Sequence, residues 1–144
     1  MKKTICLLVC FIGLWLYHLP LKAPEVKCLF IKTSEGIDPF TKVWNAVCDF
    51  ESSMDPLAYN DRDPNGGSHG IGQIGLQRLH EYNTLTNNNY LIKDLYNPII
   101  SKKIFMYYAM RIGPYDIDLV IRRWNGSGPL TYQYLKEVKK RMKP

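Results

Sequence analysis

Residues 38–51 read DPFTKVWNAVCDFE, and this stretch decides the fold class. Asp38-Pro39 has the form of a helix start, an N-cap side chain followed by proline in the first turn. Phe40, Val43, Trp44 and Val47 then recur at i, i+3, i+4 and i+7, one face of an α-helix. The spacing predicts a helix running to about Glu51, with that carboxylate at its end, at the rim of the core.

Working outward, residues 55–70 are polar and contain two prolines and three glycines. They predict a long loop without regular structure, and loops of that length in small domains are commonly functional. Residues 70–82 predict a second helix with Ile71, Ile74 and Leu79 near one face. Asn97-Pro98 repeats the cap-plus-proline start, followed by Ile100, Ile104, Tyr107, Tyr108 and Ile112, and Gly113-Pro114 stops the helix. Near Asp116 a short helix begins, carrying Leu119, Val120 and Trp124. Ser127-Gly128-Pro129 opens the last one, with Thr131, Tyr134, Leu135, Val138 and Met142 on one face. No segment alternates with period two over a strand's length. The expected fold class is therefore mainly α, as a single domain over residues 38–144.

The preceding residues have a different character. Lys2 and Lys3 stand before an apolar run from Ile5 to Tyr17, the charge-then-apolar order of an export signal. These 13 residues fall short of the about 20 that a bilayer span needs. Residues 1–23 are expected to act as a signal peptide or as an uncleaved membrane anchor. Residues 24–37, with Pro24 and Gly36, form a connecting arm. The chain is then periplasmic or secreted, or tethered to the inner membrane that its leader engages. Of the net charge of +6, Lys2, Lys3 and Lys22 supply three, leaving +3. That balance suits contact with anionic polymers and is too small to mark nucleic acid as a partner. Cys28 and Cys48 lie beyond the leader; in an oxidising compartment they can pair, closing a loop worth roughly 3 kcal/mol, or stand as two free thiols.

Four short blocks carry the chemistry. Glu51-Ser52-Ser53-Met54-Asp55-Pro56-Leu57-Ala58 resembles the Glu-Ser-x-x-x-Pro-x-Ala signature of the lytic transglycosylases, and Gly70-Ile71-Gly72-Gln73-Ile74 resembles their Gly-Leu-Met-Gln-Ile segment. Tyr96-Asn97-Pro98 with Tyr108 resembles their third block. Trp124-Asn125-Gly126-Ser127-Gly128 resembles their Tyr-Asn-Ala-Gly block, with Tyr132 or Tyr134 where a tyrosine follows. The blocks occur in family order over residues 40–138.

The resemblance implies a lysozyme-like helical fold and cleavage of the β-1,4 MurNAc–GlcNAc bond of peptidoglycan with 1,6-anhydro-MurNAc ends. Glu51 then corresponds to the catalytic acid and base. Gln73, Trp124, Asn125, Tyr132 and Ser68 are the expected substrate contacts, and no metal or cofactor is required. Glycan strands are the implied partner, and the long loop from Tyr59 to His69 resembles that of the specialised members that open the wall for secretion systems, pili or phage entry, so an envelope-spanning assembly is a further implied partner. The chain departs from the pattern at several positions. Gly72 replaces a methionine, predicting a more open subsite wall. Arg123 replaces a small residue, and Ser101 and Phe105 replace an asparagine and a glycine. Two other readings remain: a lysozyme-like hydrolase, needing a second carboxylate from Asp55, Asp61 or Asp63, and a non-catalytic wall-binding protein. Asp61-Arg62-Asp63 begins like a calcium loop, but Gly72 occupies the position of the bidentate acid. A Cys48–histidine pair with His69 or His80 has no supporting local signature.

Overall fold

A computed structural model describes residues 38–63 and 66–142, which fall in one compact unit beginning at Ile37. The expected leader, the connecting arm and Cys28 lie outside the described residues.

Among the described residues five α-helices surround one core, and a small sheet closes one side: α1 (Thr41–Ser52), β1 (Tyr59–Asn60), β2 (Ser68–His69), β3 (Ile74–Gly75), α2 (Leu76–Thr86), a 3-10 helix (Ile92–Tyr96), α3 (Pro98–Ile112), α4 (Ile117–Asn125) and α5 (Leu130–Arg141). The mainly helical expectation holds. The first helix starts later than Asp38-Pro39 suggested. The Asp38 carboxylate instead accepts from the Phe40 N–H at 3.0 Å and the Thr41 hydroxyl at 2.6 Å, capping a turn ahead of the helix. Asn97 and Asp116 do cap their helices, accepting from Ile99 N at 2.9 Å and Leu119 N at 2.8 Å, and α3 stops at Gly113.

Two expectations need correction. The 55–70 stretch is not without regular structure. It carries β1 and β2, which pair antiparallel with β3 in the order β1-β2-β3, with Tyr59 opposite His69 and Ser68 opposite Gly75. Each strand spans only two residues, too few for an alternating hydrophobic pattern to register. The second helix begins at Leu76, not near residue 70. Ile71 and Ile74 are buried, as a core face would be, but on a turn and a strand. Gly70 forces the turn: its φ is +71°, and a Cβ there would come within 2.0 Å of the Leu95 carbonyl oxygen.

Around the fully buried Val43, Val47, Ile74, Leu95, Ile104, Ile121 and Val138 the core is aromatic at its centre. Trp44 packs on Phe105 at 5.1 Å and edge-on to Trp124 at 6.5 Å, and Phe105 meets Trp124 at 5.1 Å. The departure at Phe105 therefore fills the space between two tryptophans. Ser101 is fully buried and donates to the Leu95 carbonyl at 2.6 Å, tying α3 to the 3-10 helix. Gly72 does not open a wall as expected. A Cβ there would lie 2.9 Å from the Trp44 indole, so tryptophan occupies the space a side chain would take. The α5 helix lies against both α4 and α1. Most cations of its last turns are partnered: Lys139 with Asp118 at 2.9 Å, Lys140 with Glu137 at 2.6 Å, Arg141 with Asp49 at 3.0 Å. No described helix is long and apolar enough to cross a membrane.

Candidate active site

Helix α1 ends abruptly because Ser53 and Met54 both adopt positive φ, 54° and 68°. Their N–H groups bond to the carbonyls of Asp49 and Cys48, at 3.1 and 3.2 Å. Glu51 is thereby fixed in the last helical turn. The neighbouring Ser52 hydroxyl donates to the Ile71 carbonyl at 2.9 Å, fastening that turn to the segment between β2 and β3. The result is a cleft of about 950 Å³, lined by Glu51 from α1, Asn60, Asp63, Ser68 and Gln73 from the sheet region, Arg78 and Glu81 from α2, Tyr108 and Arg111 from α3, and Arg123, Trp124 and Asn125 from α4.

Glu51 is largely shielded. Burial raises its carboxyl above the ordinary range, partly opposed by the Tyr134 hydroxyl, which donates to Oε1 at 2.7 Å, and by the charge of Arg78. Tyr134 is held neutral by its own burial and by Glu51's charge, so it acts as a fixed donor. No described cation lies within ion-pair distance of Glu51. The upward direction favours the protonated form, the form in which a carboxyl can act as a general acid.

Gln73 lines the cleft as expected, in the left-handed region at φ 48°. Its amide donates to the carbonyls of Gly70 at 3.0 Å and Ala58 at 3.3 Å, so its nitrogen braces the wall. Ser68 also lines the cleft, its hydroxyl donating to Asp63 at 3.1 Å. Asn125, exposed at the end of α4, lines it too. Trp124 borders the cleft but is only 5% exposed, its indole covered by the Arg78 guanidinium at 4.2 Å. On this side of the cleft the guanidinium lies over the indole.

Tyr132 requires correction. It is 60% exposed, lies under Arg122 at 3.7 Å and does not line the cleft. Helical spacing is the reason. Tyr134 shares the buried face of α5 with Thr131 and Val138, at i+3 and i+7, and two residues' offset turns Tyr132 off that face.

The pattern of motifs did not reveal Arg78. Its guanidinium donates to the carbonyls of Trp124 at 2.7 Å and Arg123 at 3.4 Å, which belong to the last turn of α4. It also lies 5.5 Å from the Tyr108 ring. Nothing in the local sequence LQRLHEY (76–82) separates this arginine from a solvated one. Glu81 was likewise unanticipated; Tyr108 donates to it at 3.1 Å.

Of the three aspartates considered as a second carboxylate, Asp63 lines the cleft. Asp55 is exposed and caps its own loop through Leu57 N at 2.8 Å, and Asp61 is exposed outside the lining. Cys48 is a free, fully buried thiol, pushed up to about 12 by burial and then by Glu51's charge, the reverse of an activated nucleophile. His69 is bound to the Tyr96 hydroxyl at 3.0 Å and the Gly66 carbonyl at 3.2 Å. Among the described residues no group of three or more His, Cys, Asp or Glu is placed to hold a metal ion.

The chain matches no family model, no curated protein and no solved structure.

Proposed function

We propose that this chain is a peptidoglycan lytic transglycosylase with a lysozyme-like fold and with Glu51 as its acid and base. One observation carries the reading. Glu51, Gln73 and Asn125, from motif blocks far apart in sequence, line a single cleft in which Glu51 is shielded and bonded to a neutral tyrosine.

In the first step Glu51 donates its proton to the glycosidic oxygen as the bond to C1 breaks, and the acetamido oxygen of the same sugar stabilises the charge at C1. Glu51, now ionised, accepts the proton of the MurNAc C6 hydroxyl while that oxygen attacks C1. The 1,6-anhydro ring closes, no water is consumed, and Glu51 ends protonated. A bound hydroxyl outcompetes solvent because intramolecular attack has a high effective concentration. Tyr134 suits both halves, since its hydroxyl stabilises the transient carboxylate without supplying a full charge.

Substrate on this reading lies outside the inner membrane, in keeping with the basic start at Lys2 and Lys3 and the apolar run after it. A reporter fused after Pro24 is expected to be exported, and its retention in the cytoplasm contradicts that part.

A hydrolase is the second reading, favoured by Asp63 in the same cleft. Mass analysis of fragments released from purified walls decides between them. Anhydro-MurNAc ends support the transglycosylase. Reducing MurNAc ends transfer the assignment to the hydrolase, with Asp63 as the second carboxylate. Absence of any released fragment leaves the non-catalytic binding protein.

A further inference from the structure

Arg123 is a departure that the proposed reaction does not use. It stands in the last turn of α4, where the resembled family has a small residue. The residue lines the main cleft and also a smaller adjoining recess of about 270 Å³, bordered by Leu119, Arg122 and Gly126–Gly128. Among the described residues the Arg123 side chain makes no hydrogen bond and no ion pair. Arg111, in the last turn of α3, lines the same cleft; it donates to the Tyr107 hydroxyl at 2.7 Å and has no acid partner among the described residues.

The neighbouring basic groups differ. Arg122 is bonded much as Arg111 is, donating to the Thr131 hydroxyl at 3.1 Å with its guanidinium over Tyr132, but it does not line the main cleft. Arg78 is half-buried and spends donors on the carbonyls of α4. On α5, Lys139, Lys140 and Arg141 are neutralised by acids. Two exposed arginines thus line a cleft that also holds Glu51, Asp63 and Glu81, and neither makes an ion pair among the described residues; guanidinium matches carboxylate geometry in a way a lysine does not.

We propose that Arg123 and Arg111 are specificity determinants that bind a carboxylate borne on the substrate's MurNAc side chain. This rests on the peptidoglycan reading above. The carboxylate has two sources, the lactyl group of a peptide-stripped strand or the acids of an attached stem peptide. A neutral GlcNAc oligomer offers neither. The arginines therefore make the cleft prefer wall strands to chitin-type oligomers of equal length. A purely structural role is the alternative, since cations suit the negative end of a helix.

The test measures binding calorimetrically to the full chain carrying Glu51→Gln, so that ligand is not consumed. Three probes are used: chitotetraose, a peptide-stripped GlcNAc–MurNAc tetrasaccharide, and the same saccharide with its stems. Adding Arg123→Gln is expected to weaken the acidic probes about threefold, and adding Arg111→Gln as well about tenfold, as exposed ion pairs allow. Chitotetraose affinity should not change. Raising salt should erode the acidic probes' advantage in the parent and not in the double variant. A loss already present with the stripped saccharide assigns the lactyl carboxylate, and a loss confined to the stem-bearing probe assigns the peptide.

Equal loss on all three probes, no loss on any, or a lowered melting temperature with unchanged selectivity overturns the proposal. So does failure of the parent to bind either acidic probe. Release of fragments is scored separately on the wild-type chain. Arginine-dependent binding without fragment release then sinks the catalytic reading and leaves this one standing.

Discussion

The same cleft holds two glutamates in opposite surroundings. Glu51 ends α1 beneath α5, shielded, with one neutral donor and a carboxyl raised by burial. Glu81 lies on α2, exposed, bonded to Tyr108, and beside a guanidinium fixed to the end of α4. Residue type is identical, so the difference comes from what surrounds each acid. For Glu51, burial favours the protonated form, which suits a group that must hold and return a proton.

The comparison breaks most directly at its centre. Glu51→Gln is expected to lower turnover on purified walls about a thousandfold, while Glu81→Gln should leave most activity. Equal losses in a fragment-release assay would erase the distinction. Stability gives a second test of Glu51. Glu51's carboxyl is raised in the folded state, so its contribution is present in acid and is lost as pH rises through the folded value. Glu51→Gln should therefore gain stability relative to wild type toward neutral pH, with no gain in acid. Thermal melts across pH check the sign.

Arg78→Met comes next. It removes charged donors from the carbonyls of Trp124 and Arg123, at a cost of about 2 kcal/mol in chemical denaturation. It also removes a charge that holds Glu51 down, so the alkaline fall in kcat/KM should move to higher pH. A shift in the other direction would deny the coupling between the two corners.

Tyr134→Phe sharpens the contrast at smaller cost. Losing one hydrogen bond should destabilise the fold by about 1 kcal/mol and also move the alkaline limb upward, because that bond lowers Glu51's proton affinity. The smallest effect is expected from Tyr132→Phe. This exposed ring is not in the cleft, and both its stability change, within about 0.5 kcal/mol, and its activity change should be near zero. An activity loss from Tyr132→Phe matching that of Tyr134→Phe would mean that the α5 register described above is wrong.

The sequence by itself determined the helical class, the cap at Asn97, the helix start near Asp116 and the stop at Gly113, because each rests on contacts within a few residues of chain. It also singled out Glu51, Gln73, Asn125 and Ser68, which the fold gathers into one cleft. Tertiary structure decided what local pattern cannot encode. Strands of two residues are too short to show a period, so the sheet emerged only from pairing across the loop. The choice between Tyr132 and Tyr134 depended on which face of α5 meets α1, and the consequence of Gly72 on the indole of Trp44 lying against it. Arg78 was invisible in sequence for the same reason. Its partners are carbonyls about 45 residues away, and a backbone carbonyl carries no residue identity for a motif to display.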